Sequence, residues 1–230
     1  MHMYHLARTR HFDSILALEL AAATEQVVIL GAGLDSRAHR FITQLQDVPV
    51  YEVDHPHTSL WKRERVRAHL PEANPGVRYV AVDLARSGLF PALTEAGFRP
   101  ERKTFFLWEG ASMYLPGEAV RELLGSVTRS VPEVSIAFDY LYRSLFGAPE
   151  RFAGGQRNLA VVRRGGEPYL FGIDPIDVGP LCISLGFEVV SNLDAGALAT
   201  RYLHSTKHAG AARMLEFAGI VHAHSRPLDH

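Results

Sequence analysis

Val27-Val28-Ile29-Leu30-Gly31-Ala32-Gly33-Leu34-Asp35-Ser36-Arg37 is the stretch that decides the fold. Four consecutive aliphatic residues closed by a glycine read as a strand buried on both faces, as a parallel sheet requires. Gly31 and Gly33 permit positive φ and carry no Cβ, so a ligand can lie against the backbone there. A helix starting after the turn aims its unpaired N–H groups at the same place. The stretch is a candidate cradle for a nucleotide or cofactor. One glycine turn does not say which ligand it holds; the strands that follow narrow the choice.

Upstream, residues 5 to 23 read as a helix, from their Ala run and the apolar Ile15, Leu16, Leu18 and Leu20. Arg8 and Arg10 precede that apolar face. Each reads equally as a solvated cation or as a group reaching an anionic ligand. Downstream, the strand over 26–31 leads into a helix over about 35–46. A strand over 49–54 ends in Asp54, and Pro56 closes it because proline cannot donate to a ladder. A basic helix over 58–70 follows, on which Trp61 and Lys62 read as solvated. A strand over 77–82 ends at Asp83, and a helix over 87–96 stops at Gly97. The strand 104–108 ends at Glu109-Gly110, Pro116 suits the first turn of a helix to about 130, and a strand spans 134–140.

Strand alternating with helix over short connections implies an α/β fold, a parallel sheet covered on both faces. Residues 143–172 break the rhythm and read as a lid-like insertion. Asp174 and Pro175 mark a helix start, Pro180 limits regular helix before it, and Gly186 ends that element. A sixth strand over 187–190, a helix over 206–217 and a last strand over 220–224 complete the chain. No repeat or linker divides it, so residues 1–230 are expected to form one domain.

Composition bounds the function. The chain has 230 residues, 47% hydrophobic and 21% charged, enough for one large core. A net charge of −1 gives no electrostatic footprint for nucleic acid. Cys182 is the single cysteine, so no internal disulfide can form and a reducing compartment is expected. No apolar run approaches the roughly 20 residues that span a bilayer, and the first residues lack a signal-peptide core. The expectation is a cytoplasmic protein without a membrane partner.

In an open α/β sheet, ligands sit outside the carboxyl ends of the strands. Gly31, Gly33, Asp54, Asp83 and Glu109 would gather there. Asp54 lies 21 positions after Gly33, which suits a carboxylate accepting both hydroxyls of a ribose. That geometry serves nicotinamide dinucleotides and S-adenosylmethionine alike. Ser36 stands where a dinucleotide fold prefers a third glycine. Asp83 can accept from an adenine amine while Leu84 holds the ring; alone, Asp83 reads as a helix cap.

The sequence resembles the leucine carboxyl methyltransferase-like family of class I S-adenosylmethionine-dependent methyltransferases, which includes bacterial polyketide-type O-methyltransferases. The runs that carry the resemblance are Arg8-Thr9-Arg10-His11-Phe12-Asp13, the opening stretch, Tyr51-Glu52-Val53-Asp54-His55-Pro56, Val80-Ala81-Val82-Asp83-Leu84 and Trp108-Glu109-Gly110-Ala111-Ser112-Met113-Tyr114-Leu115. Phe171-Gly172-Ile173-Asp174-Pro175 also fits. The resemblance implies a doubly wound, mostly parallel seven-stranded Rossmann-like sheet with helices on both faces. It implies S-adenosyl-L-methionine as cofactor. Arg8 or Arg10 would pair with the cofactor carboxylate, and Gly31 and Gly33 would pass under the methionine and ribose. Asp54 would take the ribose, with His55 shaping the wall. Asp83 and Leu84 would take the adenine, and Glu109-Gly110 the aminoacyl end. Tyr114 would face the substrate. Members usually carry a longer helical segment ahead of the arginine motif. The cofactor site is therefore expected to be open, covered by a homodimer partner or a large substrate.

The reaction implied is O-methylation of a carboxylate, or of a hydroxyl, on a small molecule, natural-product intermediate or peptide terminus. A carboxylate acceptor is already ionised near neutral pH; Arg10, Tyr114, Arg201 and Tyr202 are the candidates to orient it. A hydroxyl acceptor needs a base such as a histidine. The alternatives are a methyltransferase-like binding protein without methyl transfer, and a nicotinamide oxidoreductase, for which no catalytic Tyr/Lys pair is recognisable. Among the twelve histidines, His222 and His224 share one face of the last strand. Two ligands hold a metal only with a third, and spacing places none. They read as a surface or edge pair, and no metal is expected.

Overall fold

The computed structural model describes residues 2–86, 88–203 and 215–225. In chain order the elements are α1 His2–Ala21, β1 Gln26–Leu30, α2 Arg37–Arg40, β2 Val50–Asp54, α3 Pro56–His69, β3 Val77–Ala81, α4 Leu89–Glu95, β4 Thr104–Trp108 and α5 Gly117–Ser130. They continue as β5 Val134–Leu141, α6 Ser144–Gly147, α7 Gly155–Arg164, α8 Pro175–Ser184, β6 Phe187–Asp194, α9 Ala195–Tyr202 and β7 Ala218–Ser225. The strands form one seven-stranded sheet in the order β3-β2-β1-β4-β5-β7-β6. Neighbours from β3 to β5 pair parallel, and β7 runs antiparallel to both β5 and β6.

The side-chain period of a strand is two, and here both phases are buried. Val28, Leu30, Tyr51, Val53, Phe106 and Trp108 point into a core shared with α5 and α8. Val27, Ile29, Val50, Phe105 and Leu107 point into a second core shared with α1 and α9. That is why these strands read as continuous apolar runs rather than alternating ones. The strand order reverses between β1 and β4, which opens a crevice at their carboxyl ends.

Several elements differ from the sequence reading. α2 is only four residues long, Arg37–Arg40, where a helix to about 46 is predicted; the β-branched Ile42 and Thr43 disfavour its continuation. Pro56 does not merely close β2. It is the first residue of α3, where its missing N–H costs nothing. Pro180 lies inside α8 rather than ending it. Val178, Leu181 and Cys182 are buried, and that packing outweighs the lost backbone bond. Asp174 sits at the start of α8, but its Oδ1 accepts from Ser144 N at 3.0 Å and Ser144 Oγ at 2.8 Å instead of capping the helix.

Lys62 is buried rather than solvated, because Glu52 turns its carboxylate inward from β2. Lys62 Nζ lies 2.6 Å from Glu52 Oε2 and donates to the Asp35 carbonyl at 2.7 Å. Trp61 is exposed beneath the Arg65 guanidinium. β6 runs four residues longer than predicted, to Asp194. β7 is an interior strand, so His222 is buried and not part of an edge. The helix predicted over 206–217 falls on 206–214, outside the described residues, while 215–217 lead into β7. No helix among the described residues is long and apolar enough to cross a membrane.

Candidate functional site

The turn after β1 is built for close approach. Gly31 has φ +61° and Gly33 φ +40°. A Cβ on Gly31 would stand 2.6 Å from the Ala111 Cβ, so the site needs bare backbone there. Asp54, at the end of β2, braces the turn. Its Oδ2 accepts from Gly33 N at 2.5 Å and its Oδ1 from His55 N at 2.6 Å. A carboxylate offers about four lone-pair sites, so both oxygens retain capacity for a ligand.

α1 brings Arg8 to the other side of the turn. Its Nε donates to Glu109 Oε1 at 2.8 Å and its Nη1 to Asp139 Oδ2 at 3.0 Å. Asp139 Oδ1 accepts from Gly110 N at 2.6 Å, which fixes the loop leaving β4. Burial alone would lower the pKa of Arg8, but Asp139 and Glu109 outweigh it and hold the guanidinium charged well above its usual range. Arg37, buried, pairs with Asp13 at 2.7 Å and Asp35 at 2.5 Å. Its Nη2 is also 2.6 Å from Glu109 Oε2, an ion pair. Glu109 thus sits between two arginines, Arg8 on Oε1 and Arg37 on Oε2.

Two cavities meet at Gly31. One, of about 260 Å³, is lined by Arg8, Gly33, Arg37 and Glu109 among others. The second, of about 450 Å³, is lined by Asp54, His55, Asp83, Leu84, Tyr114 and Leu170 among others. Asp83 serves its own turn as well: Oδ1 accepts from Ala85 N at 3.0 Å and Oδ2 lies 3.3 Å from Arg86 Nε. Tyr114 and Tyr169 have ring centroids 5.2 Å apart, their planes tilted by 50°. Burial keeps both phenols protonated beyond the usual range, against a smaller opposing influence of Tyr169 on Tyr114. The segment carrying Tyr169 is stitched down by Leu170 N and Phe171 N, which both donate to the Met113 carbonyl, at 2.8 and 3.1 Å.

The structure separates the two arginines. Arg8 faces the turn, whereas Arg10 Nη1 donates to the Tyr202 carbonyl at 3.4 Å and lines neither cavity. Arg201 and Tyr202 belong to the α1–α9 contact, where Tyr202 Oη lies 2.9 Å from His11 Nδ1. Of the candidates to orient an acceptor, Tyr114 lines the cavity that holds Asp54 and Asp83. Sequence reading missed Asp139 and the ion pairs of Arg37. An acid inside the apolar run 134–141 was the signal for the first.

The site thus has the paired charges Arg8, Arg37 and Glu109 at one end and the carboxylates Asp54 and Asp83 beyond a bare turn at the other. The family model for leucine carboxyl methyltransferase matches residues 1–128. The chain belongs to the leucine carboxyl methyltransferase family. A relative from Mycobacterium sp. (strain KMS), provisionally named an S-adenosyl-L-methionine-dependent methyltransferase, is 43% identical over 121 residues, 53% of this chain and 40% of the relative. The chain spans about half the length of the curated relatives it matches. A DUF574 family protein from Streptomyces avermitilis superposes with a TM-score of 0.70 at 14% identity, covering 97% of this chain and 84% of that one. Magnesium protoporphyrin IX methyltransferase from Synechocystis PCC 6803, solved with bound SAH, gives a TM-score of 0.58 at 13% identity, covering 97% and 85%. At such identities the likeness speaks for the fold alone, the seven-stranded sheet with helices on both faces. S-adenosyl-L-methionine is the cofactor of this leucine carboxyl methyltransferase family member.

Proposed function

We propose that the protein is an O-methyltransferase that transfers the methyl group of S-adenosylmethionine to a carboxylate of a small molecule, natural-product intermediate or peptide terminus. The observation that carries the reading is the charged end of the site, where Arg8 and Arg37 both pair with Glu109, across Gly31 from Asp54 and Asp83. The Glu109 carboxylate attracts the cofactor ammonium, and Arg8 attracts the adjacent carboxylate. Asp54 accepts from the ribose hydroxyls, Asp83 from the adenine amine, and Leu84 and His55 wall the adenosyl group. When bound, the cofactor supplies an electrophilic methyl group on a sulfonium.

The protein's share is position. Holding acceptor and donor in line can supply roughly 7–11 kcal/mol of the barrier. Tyr114 favours a carboxylate acceptor over a hydroxyl. Burial keeps it a neutral phenol, so it donates a hydrogen bond to an oxyanion and does not take a proton. A carboxylate is already ionised and needs only that orientation. The lid-like segment around 143–172 supplies Tyr169 and Leu170 and excludes water from the acceptor.

At the mouth, Leu34 and Leu170 are 72% and 56% exposed, which supports a second copy of the chain as a cover. A sedimenting monomer in the presence of cofactor would overturn that contact. The buried, free Cys182 fits a reducing, cytoplasmic setting.

Calorimetry with SAH and with NAD tests the cofactor: SAH is expected to bind and NAD not. Acceptor screening with methyl-labelled cofactor tests the chemistry. A carboxylate product is an ester and loses its label as methanol in mild base. A label that survives base marks a hydroxyl acceptor. SAH binding with no transfer to carboxylates or hydroxyls would leave a binding protein and overturn the enzymatic reading.

A further inference from the structure

We propose that Glu19, His222 and His224 form a divalent transition-metal site, best matched to zinc, at the end of the sheet opposite the cofactor. α1 runs antiparallel to the strands it covers. Its first half delivers Arg8 to the carboxyl ends, and its second half delivers Glu19 to the start of β5. The antiparallel β7 brings His222 opposite Ala137 and His224 opposite Ser135. So the fold supplies the third group that spacing along the chain does not.

The geometry is convergent. His222 Nε2 lies 2.8 Å and His224 Nε2 2.9 Å from the same oxygen, Glu19 Oε1. The three ligand atoms all lie within 4.8 Å of one another. Two imidazoles and a carboxylate are a donor set that zinc takes, with bonds of about 2.0–2.2 Å. At tetrahedral angles such bonds put ligand atoms about 3.3–3.5 Å apart, so the donors need to part by roughly half an ångström to admit the ion. Each imidazole then carries its proton on Nδ1 and leaves Nε2 bare.

Supporting contacts match what metal ligands need. Ser135 Oγ donates to Glu19 Oε2 at 2.6 Å and fixes the carboxylate. The Phe105 ring stands edge-on to His222, 6.4 Å between centroids, and sets that imidazole's plane. Glu19 and His222 are buried, while the His224 side chain is 49% exposed. The ion enters on that side and finds water for its fourth position there. Bound metal would lock the second half of α1 to β7, and α1 is the helix that presents Arg8.

The test uses the full chain stripped with a chelator, Co2+ as a visible probe, and Zn2+ as competitor. One equivalent of Co2+ is expected to bind with the d–d bands of a low-coordinate site, and Zn2+ to displace it. His224→Gln, at the half-exposed position, is expected to fold, bind SAH as the parent does, and lose at least about tenfold in metal affinity. Ser135→Ala is expected to lose about tenfold through the carboxylate alone. Zn2+ should raise the thermal midpoint of the parent and not that of His224→Gln. Absence of saturable one-to-one binding overturns the site. So does an affinity unchanged in both His222→Gln and His224→Gln, since the ion would then sit on other histidines.

Discussion

Asp54 and Asp83 differ in what they hold. Asp54 accepts from two backbone N–H groups across the glycine turn, while Asp83 accepts only within its own turn. Asp54→Ala therefore removes a ligand contact and the brace of the turn, and Asp83→Ala removes chiefly a contact. Each is expected to weaken SAH binding by roughly 10- to 100-fold, as a charge-assisted bond of about 1.5–3 kcal/mol implies. Both chains should still fold, and calorimetry beside thermal melts checks this. Retained affinity in both would reject the placement of the adenosyl group. His11 gives a different readout. It is 3% exposed, and burial first, then Arg201 and His222, lower its pKa from 6.5 to about 4. The folded state refuses a proton that the unfolded state accepts. Stability is thus full above pH 6.5, falls as pH drops toward 4, and levels off below. The loss is at most about 3–4 kcal/mol at 1.36 kcal/mol per unit. Urea unfolding across that range, in chelator, should show the slope in the parent and a flatter one in His11→Gln. At this scale the acids that end strands were legible, because strand ends are readable from apolar runs. Arg8 against Arg10 was not. Two positions on a helix differ by about 200° around its axis, and which direction faces the ligand depends on packing that no local pattern records.

Elements were readable where both faces are buried and obscure where tertiary contacts override local preference. β1, β2, β4 and β5 declare themselves as aliphatic and aromatic runs. α2 does not, since its charged surroundings read as helical and Ile42 and Thr43 work against it. The β1–α2 turn is the least replaceable connection. Gly31→Ala meets both a positive φ and the Ala111 Cβ at 2.6 Å, and is expected to cost about 1–3 kcal/mol. It should also abolish SAH binding, because the turn must shift away from the ligand. A chain melting and binding as the parent does would overturn the reading of the turn. α8 predicts the reverse. Pro180 interrupts its backbone ladder, and the residue whose carbonyl it leaves free, Ile176, is on the exposed side. Pro180→Ala restores a bond and helix propensity, so chemical denaturation should show a gain of about 1–3 kcal/mol. No gain would mean that the ring itself packs usefully.

Across the whole molecule, the matched family region and the remainder divide the site unequally. Residues 1–128 hold Arg8, Gly31, Asp54, Asp83, Glu109 and Tyr114, whose motifs carry the proposed cofactor site. The remainder adds Asp139, which anchors Arg8, and Tyr169, which backs Tyr114; these contacts cross from strand to helix and from lid to turn. The Glu19–His222–His224 cluster lay hidden for the same reason, since it joins α1 to β7. The sheet order places Gly31, Asp54, Asp83 and Glu109, the groups proposed to hold the cofactor, beyond the carboxyl ends of β1 to β4, beside the point where the order reverses. β6 and β7 lie on the far side of β5. A ligand that binds only the folded state at 100 times its Kd adds about 2.7 kcal/mol to global stability. That gain slows exchange everywhere for amides that open only by unfolding. Amides that open locally report the site itself. SAH is therefore expected to slow fast-exchanging amides in 31–37, 54–57, 83–86 and 109–114, and to leave those of β6 and the α9 end unchanged. Equal slowing of fast amides at both ends of the sheet would place the ligand elsewhere.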